Sequence, residues 1–280
     1  MTGANFRRRL LRLLMTVIVG YGLALLLIRT FESHLVFFPN VPDRLAGDWN
    51  PRDLSVEDVW LNSADGVKLH AWWITSQRAT FTFLALHGNA GNIANRADIY
   101  KFLNDTPANV LAIEYRGYGK SEGSPSEAGL YLDAEAGYQF LVHSKGIQPA
   151  QIISFGQSLG TAVAARLAAH RKVGGVVLEA PFPSAAAVAR RTFWFLPGIP
   201  LLVRKQFNTK NQLDQIKTPI MIVHCTQDPV IPFVLGQETY EGAHSPKVFV
   251  RIDGYCHEEA SVVSPARYRA ALLEFLRTLQ

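Results

Sequence analysis

The sequence has little cysteine and little charge, and each shortage excludes something. Two cysteines, Cys225 and Cys256, in 280 residues cannot make a disulfide framework, so a hydrophobic core must hold the chain together. Their simplest reading is two small buried apolar side chains; in an oxidising compartment they could instead pair. Charged residues are 18% of the chain and the formal net charge is +5. Arg7, Arg8, Arg9, Arg12 and Arg29 account for all of that excess, because residues 1–30 contain no lysine, aspartate or glutamate. The rest is formally neutral and carries no basic footprint for nucleic acid.

Other absences narrow the chemistry. There is no H-E-x-x-H, and the eight histidines do not cluster at ligand spacing, which argues against a metal hydrolase. Gly117-Tyr118-Gly119 lacks the third glycine of a dinucleotide fingerprint, and no complete G-x-x-x-x-G-K-[ST] loop exists. No cofactor and no metal are therefore expected. Repeats and low-complexity tracts are absent as well.

What is present is hydrophobic: 48% of residues, enough for one large α/β domain or two small ones. The basic arm precedes an apolar run from Leu10 to Ile28, close to the roughly 20 residues that cross a bilayer. Arg12 lies near its start, where it can snorkel to headgroups. No small-x-small site follows the run; Arg29-Thr30-Phe31-Glu32-Ser33-His34 stands there instead, which favours a retained anchor over a cleaved signal. The arginines lie N-terminal to the run, so the positive-inside rule places the N-terminus in the cytoplasm and the body in a periplasm, lumen or exterior. Residues 1–30 are read as basic arm and anchor, 31–51 as a membrane-proximal linker packed on the bilayer or the body, and 52–280 as the main domain.

Within that domain, strand patterns alternate with helical ones. Residues 55–61 and 67–75 read as a hairpin across Ala64-Asp65-Gly66. Strands follow at 81–86, 109–115, 152–155, 173–178, 220–224 and 248–252, with helices ending near 103 and over 126–142, 158–170, 235–240 and 265–279. Strands regularly followed by helices mean a mostly parallel sheet covered on both faces. The stretch of about 181–217 breaks the rhythm and is read as a small helical cap. Its Phe193, Trp194 and Phe195 either line an acyl pocket or pin the cap to the body.

One motif decides the chemistry. Gly156-Gln157-Ser158-Leu159-Gly160 joins an apolar strand to an alanine-rich helix. A serine forced into so sharp a turn needs a residue without a Cβ two places before and two after it. Ser158 is thus the candidate nucleophile, and the Leu159 amide at the helix start is free to bind an oxyanion. In open α/β sheets the site lies at the carboxyl ends of the strands. The loops after two late strands carry Asp228 and His257, and the chain order Ser158, Asp228, His257 is that of nucleophile, acid and base. His257 would take the serine proton, and Asp228 would fix its tautomer. The second oxyanion donor is expected in His87-Gly88-Asn89, from the Asn89 amide or, failing that, from Ala90. Glu114, Arg116 and Asp133 read as structural pairs, and Glu179 as a weaker substitute acid.

Taken together, His87-Gly-Asn-Ala-Gly-Asn92, Tyr115-Arg-Gly-Tyr-Gly-Lys-Ser-Glu-Gly123, Gly156-Gln-Ser-Leu-Gly160, Leu178-Glu-Ala-Pro-Phe182, Asp228 with Val230 and Pro232, and His257 resemble the Bem46-like group of α/β-hydrolases, relatives of the membrane-anchored ABHD hydrolases. The resemblance spans about 50 to 260. It implies a sheet of about eight strands, a cap between the sixth and seventh, and ester or related acyl hydrolysis. Phe37-Phe38-Pro39 after the anchor is similar to that group too. Glu114 stands where the group usually has aspartate, and Cys225 where it often has glycine. The expected activity is hydrolysis of a small-molecule, acylated or lipid-like ester or thioester by a membrane-tethered serine hydrolase. A peptidase of the same fold is the alternative enzyme, and a non-catalytic binding protein the alternative of another class.

Overall fold

The computed structural model describes residues 3–196, 198, 203, 206–244 and 246–280. Eight strands form one sheet: β1 (Glu57–Asn62), β2 (Lys68–Ile74), β3 (Phe81–Leu86), β4 (Ala108–Ile113), β5 (Ile152–Gln157), β6 (Gly175–Glu179), β7 (Ile220–Cys225) and β8 (Lys247–Ile252), in the spatial order β1-β2-β4-β3-β5-β6-β7-β8. β1 and β2 form the expected hairpin, β2 pairs antiparallel with β4, and every later pair is parallel. β3, β5 and β7 are buried along their whole length, as strands covered on both faces must be. Their alternating side chains feed two apolar cores, one on each side of the sheet.

The helices are α1 (Gly3–Thr30), α2 (Glu32–Val36), α3 (Ala97–Asn104), α4 (Glu127–Gln139), α5 (Leu159–His170), α6 (Ala185–Thr192), α7 (Thr209–Leu213), α8 (Phe233–Glu241), α9 (Ala260–Val263) and α10 (Pro265–Arg277). Local chemistry starts several of them. The side chains of Ser126, Ser184 and Asn208 accept the amides of Gly129, Ala187 and Asn211, capping α4, α6 and α7. The short helices α2 and α9 are not evident in the sequence, because five or four residues are too few to show a period.

The 31–51 segment makes contacts with the body. Phe37 is buried, and Phe38 forms a parallel bridge with Ala90. Arg44 donates to the carbonyls of Gly119 and Ser121, and the Asn92 side chain donates to the carbonyls of Arg44 and Ala46. The 181–217 stretch, read above as a cap, contains α6 and α7; residues 197, 199–202 and 204–205 of it lie outside the described residues. Its aromatic run follows neither of the two readings in full. Phe193 faces a cavity, whereas Trp194 and Phe195 are 80% and 59% exposed.

The cysteines depart from their simplest reading. Cys225 and Cys256 form a disulfide with a Cα–Cα distance of 5.7 Å. Both are buried, but the sheet brings the end of β7 beside the loop after β8, a proximity that a separation of 31 residues does not reveal.

Candidate active site

Ser158 sits between β5 and α5 with φ 49° and ψ −116°. This is a backbone conformation that only glycine adopts freely, and it is held by surrounding bonds. The Ser158 amide donates to the Glu179 carbonyl at 2.9 Å, and the amide and hydroxyl of Thr161 both donate to the Ser158 carbonyl. The two flanking glycines are required for close approach. A Cβ at Gly156 would strike the Gly160 carbonyl, and one at Gly160 would strike that of Leu86.

The structure brings all three predicted side chains together. Ser158 Oγ lies 2.8 Å from His257 Nε2, and His257 Nδ1 lies 2.8 Å from Asp228 Oδ2. A carboxylate only accepts, so Nδ1 carries the ring proton and Nε2 is left to accept from the serine hydroxyl. Asp228 Oδ1 accepts the amides of Val230 and Ile231, each at 2.8 Å, which aims its other oxygen at the histidine. The buried His224 approaches Asp228 Oδ2 to 3.4 Å and also bonds the Ile231 carbonyl at 3.0 Å.

These contacts set the charges. Burial alone would raise the Asp228 pKa, but hydrogen bonds from His224 and His257 outweigh it and hold the carboxyl well below its usual range. Burial would lower the His257 pKa; the Asp228 hydrogen bond and the nearby charges of Glu258, Asp228 and Glu259 reverse that and leave it above its ordinary value.

The histidine loop is fastened from several sides by groups that motif reading does not find. Gln157, the residue before Ser158, donates through Nε2 to the Glu258 carbonyl at 3.1 Å and to Glu179 at 3.2 Å. Glu179 also accepts the Ala260 amide at 3.2 Å. The disulfide holds Cys256, adjacent to His257. Glu179 is therefore a buried strut that bonds the loop and does not touch the imidazole. Burial pushes its pKa up to about 8, against the lowering effect of the Ala260 and Gln157 bonds.

Leu159 opens α5, so its amide is among those that find no partner within the helix. Leu159, Asn89 and Ala90 all line the same cavity as Ser158 and His257. The Asn89 side chain is engaged elsewhere, accepting from Phe38 N–H at 3.2 Å and Tyr118 O–H at 3.1 Å. Arg96, another group without a sequence signal, ties this loop to the histidine loop: it donates to the carbonyls of Ala90 and Asn92 and to the Glu258 carboxylate. His87 is buried and structural, bonding the Gly88 carbonyl at 2.7 Å and lying 3.2 Å from Glu114. Arg116 pairs with Asp133 and Asp65, as expected of a structural group. Among the described residues no group of three or more histidine, cysteine, aspartate or glutamate side chains is placed to hold a metal.

This geometry can be set beside known proteins. The chain is 35% identical to an α/β-hydrolase domain-containing protein, WAV2, of Arabidopsis thaliana, over 92% of this chain and 91% of that protein. The chain belongs to the α/β-hydrolase superfamily. An uncharacterized protein of Mycobacterium tuberculosis is 31% identical to this α/β-hydrolase over 88% of the chain and 87% of its own length. A family model described as serine aminopeptidase, S33, matches residues 77–197. Among solved structures, a Pyrococcus furiosus esterase, Pf2001, superimposes with a TM-score of 0.70 at 25% identity, over 84% of this chain and 97% of that one. An α/β-hydrolase from Vibrio vulnificus gives 0.66 at 26% identity, over 79% of this chain and 81% of its own. The family and these neighbours support hydrolase activity.

Proposed function

We propose that this protein is a membrane-tethered serine hydrolase that cleaves carboxylic esters or thioesters through an acyl-enzyme. The observation that carries the proposal is the continuous hydrogen-bonded chain from Ser158 Oγ through His257 to Asp228, with 2.8 Å at each link. Ser158 Oγ attacks the substrate carbonyl carbon as His257 Nε2 takes the hydroxyl proton. The electron pair of the C=O bond moves to its oxygen, which the amides of Leu159 and Asn89 receive. Collapse of this tetrahedral adduct expels the alcohol or thiol, which leaves with the proton held on Nε2. Water then repeats the sequence on the acyl-enzyme, releasing the acid and restoring Ser158. Asp228 stays ionised throughout and stabilises the imidazolium.

The tether reading rests on α1. Asn5–Thr30 is a helix long and apolar enough to cross a membrane. At 1.5 Å per residue it reaches about 39 Å, against a hydrocarbon core of about 30 Å. The arginine cluster at its start favours a cytoplasmic N-terminus, and a disulfide in the body fits an oxidising compartment on the other side. Retention of the helix is favoured by the sequence after it, Arg29-Thr30-Phe31-Glu32-Ser33-His34, which holds no small-x-small cleavage site.

The name of the matched family model favours a second reading, an aminopeptidase using the same three residues. Purified full-length protein presented with acyl esters and aminoacyl amides of one leaving group separates the two. Faster ester turnover, abolished in Ser158→Ala, supports the esterase; faster amide turnover reverses the ranking. A folded protein inert towards both returns the chain to the binding-protein class.

A further inference from the structure

A cavity of about 470 Å³ opens beside Ser158 and His257, within the range of small-ligand sites. Its walls come from three places that are remote in sequence. Ile28 belongs to the last turn of α1, Val36 to α2, and Val188 and Phe193 to the cap. The apolar space that begins at the serine therefore ends on the helix that is long and apolar enough to enter a membrane.

Two further observations orient this opening. From Asn5 to Thr30, only Tyr21, Leu25 and Ile28 are partly covered; they follow i, i+4, i+7 spacing, so one face of the last turns of α1 meets the protein while the rest is left bare. The cap tip beside Phe193 carries Trp194 at 80% exposure and Phe195 at 59%, next to Arg190 and Arg191. Bare aromatics flanked by arginine are the composition of a membrane–water interface. Ile28 at the end of α1 and Phe193 at the cap tip line one cavity.

Resting on the serine-hydrolase reading above, we propose that the outer end of α1 is a wall of the substrate site, and that the substrate is a membrane amphiphile whose long acyl chain enters laterally from the bilayer. The ester or thioester carbon reaches Ser158 while the chain lies against Ile28, Val36 and the cap. The chain passes from one apolar medium to another without crossing water. The anchor is thus part of chain-length recognition as well as a tether.

The test uses the full chain in lipid nanodiscs, with p-nitrophenyl butanoate, octanoate and dodecanoate as substrates. Each methylene that the cavity buries raises kcat/KM by up to about fourfold. The expected result is a rise with chain length in the parent protein. Ile28→Asn should lower the dodecanoate-to-butanoate ratio roughly tenfold, the equivalent of leaving about two methylenes unburied. Val188→Asn, on the part of the wall that α6 supplies, should act in the same direction and covers the case in which Ile28→Asn fails to insert. A parent protein without chain-length preference, or folded variants that keep the parent ratio, would overturn the inference while leaving the hydrolase reading intact. Absence of turnover of every ester would overturn the hydrolase reading and this inference with it.

Discussion

Gln157 Nε2 donates to the carbonyl of Glu258 at 3.1 Å, so the residue before Ser158 holds the residue after His257. The two ends of the proposed proton path are thereby fixed to each other by something other than the path itself. Gln157→Ala should leave the fold intact and free the histidine loop. Misplacement of reacting groups by about 1 Å costs on the order of 100-fold in rate. The expected loss falls in kcat more than in KM. A loss confined to KM, or none, would show that the loop is positioned without Gln157.

The His257 pKa, raised above the ordinary 6.5 once the Asp228 bond outweighs burial, fixes a pH profile. Base function needs the neutral imidazole, so activity is lost as pH falls and His257 is protonated. The acid limb of kcat/KM should lie above 6.5. Asp228→Asn removes the charge and the acceptor that select the tautomer; it should move that limb to lower pH and cut kcat by roughly 10⁴-fold. A limb unmoved by the substitution would separate the profile from His257.

Much of this site is legible in the sequence, for a physical reason. Gly156 and Gly160 are steric requirements of the turn, and the order of Ser158, Asp228 and His257 follows from the connectivity of a parallel sheet. What supports them is not legible. Arg96 and Glu258 are 162 residues apart, and Glu179 meets Ala260 across 81; neither pair has a spacing that local pattern reveals. The strands were readable because buried apolar runs mark them, whereas α2 and α9 are too short for a period. Pairing of Cys225 with Cys256 depends on β7 lying beside β8, which is a property of the assembled sheet.

Glu179 predicts a stability profile. Its folded-state pKa is raised to about 8, so the folded protein binds its proton more tightly than the unfolded chain does. The resulting stability is fully present below the unfolded value near 4.5 and is lost as pH rises through about 8. Glu179→Gln keeps an acceptor and removes the titration. Its melting temperature should vary less than that of the parent between pH 5 and 8, as read by thermal unfolding at fixed ionic strength. Parallel profiles would contradict the burial assigned to this carboxyl.

The disulfide closes a loop spanning 31 residues, for which chain entropy suggests about 3–4 kcal/mol. Cys225→Ala with Cys256→Ala should lower the melting temperature by several degrees. Because Cys256 adjoins His257, kcat should fall well below the melting point too. A double variant with parent stability and parent kcat would show that neither the fold nor the loop relies on the bond.

The central claim is that Ser158 carries a hydroxyl activated by His257, and a fluorophosphonate reads that most directly. Full-length protein treated with the probe and digested for mass spectrometry should give one phosphonyl adduct, on the peptide containing Ser158, lost in Ser158→Ala and strongly slowed in His257→Ala. A folded parent protein that stays unmodified, or is modified on another residue with Ser158 untouched, would contradict the account.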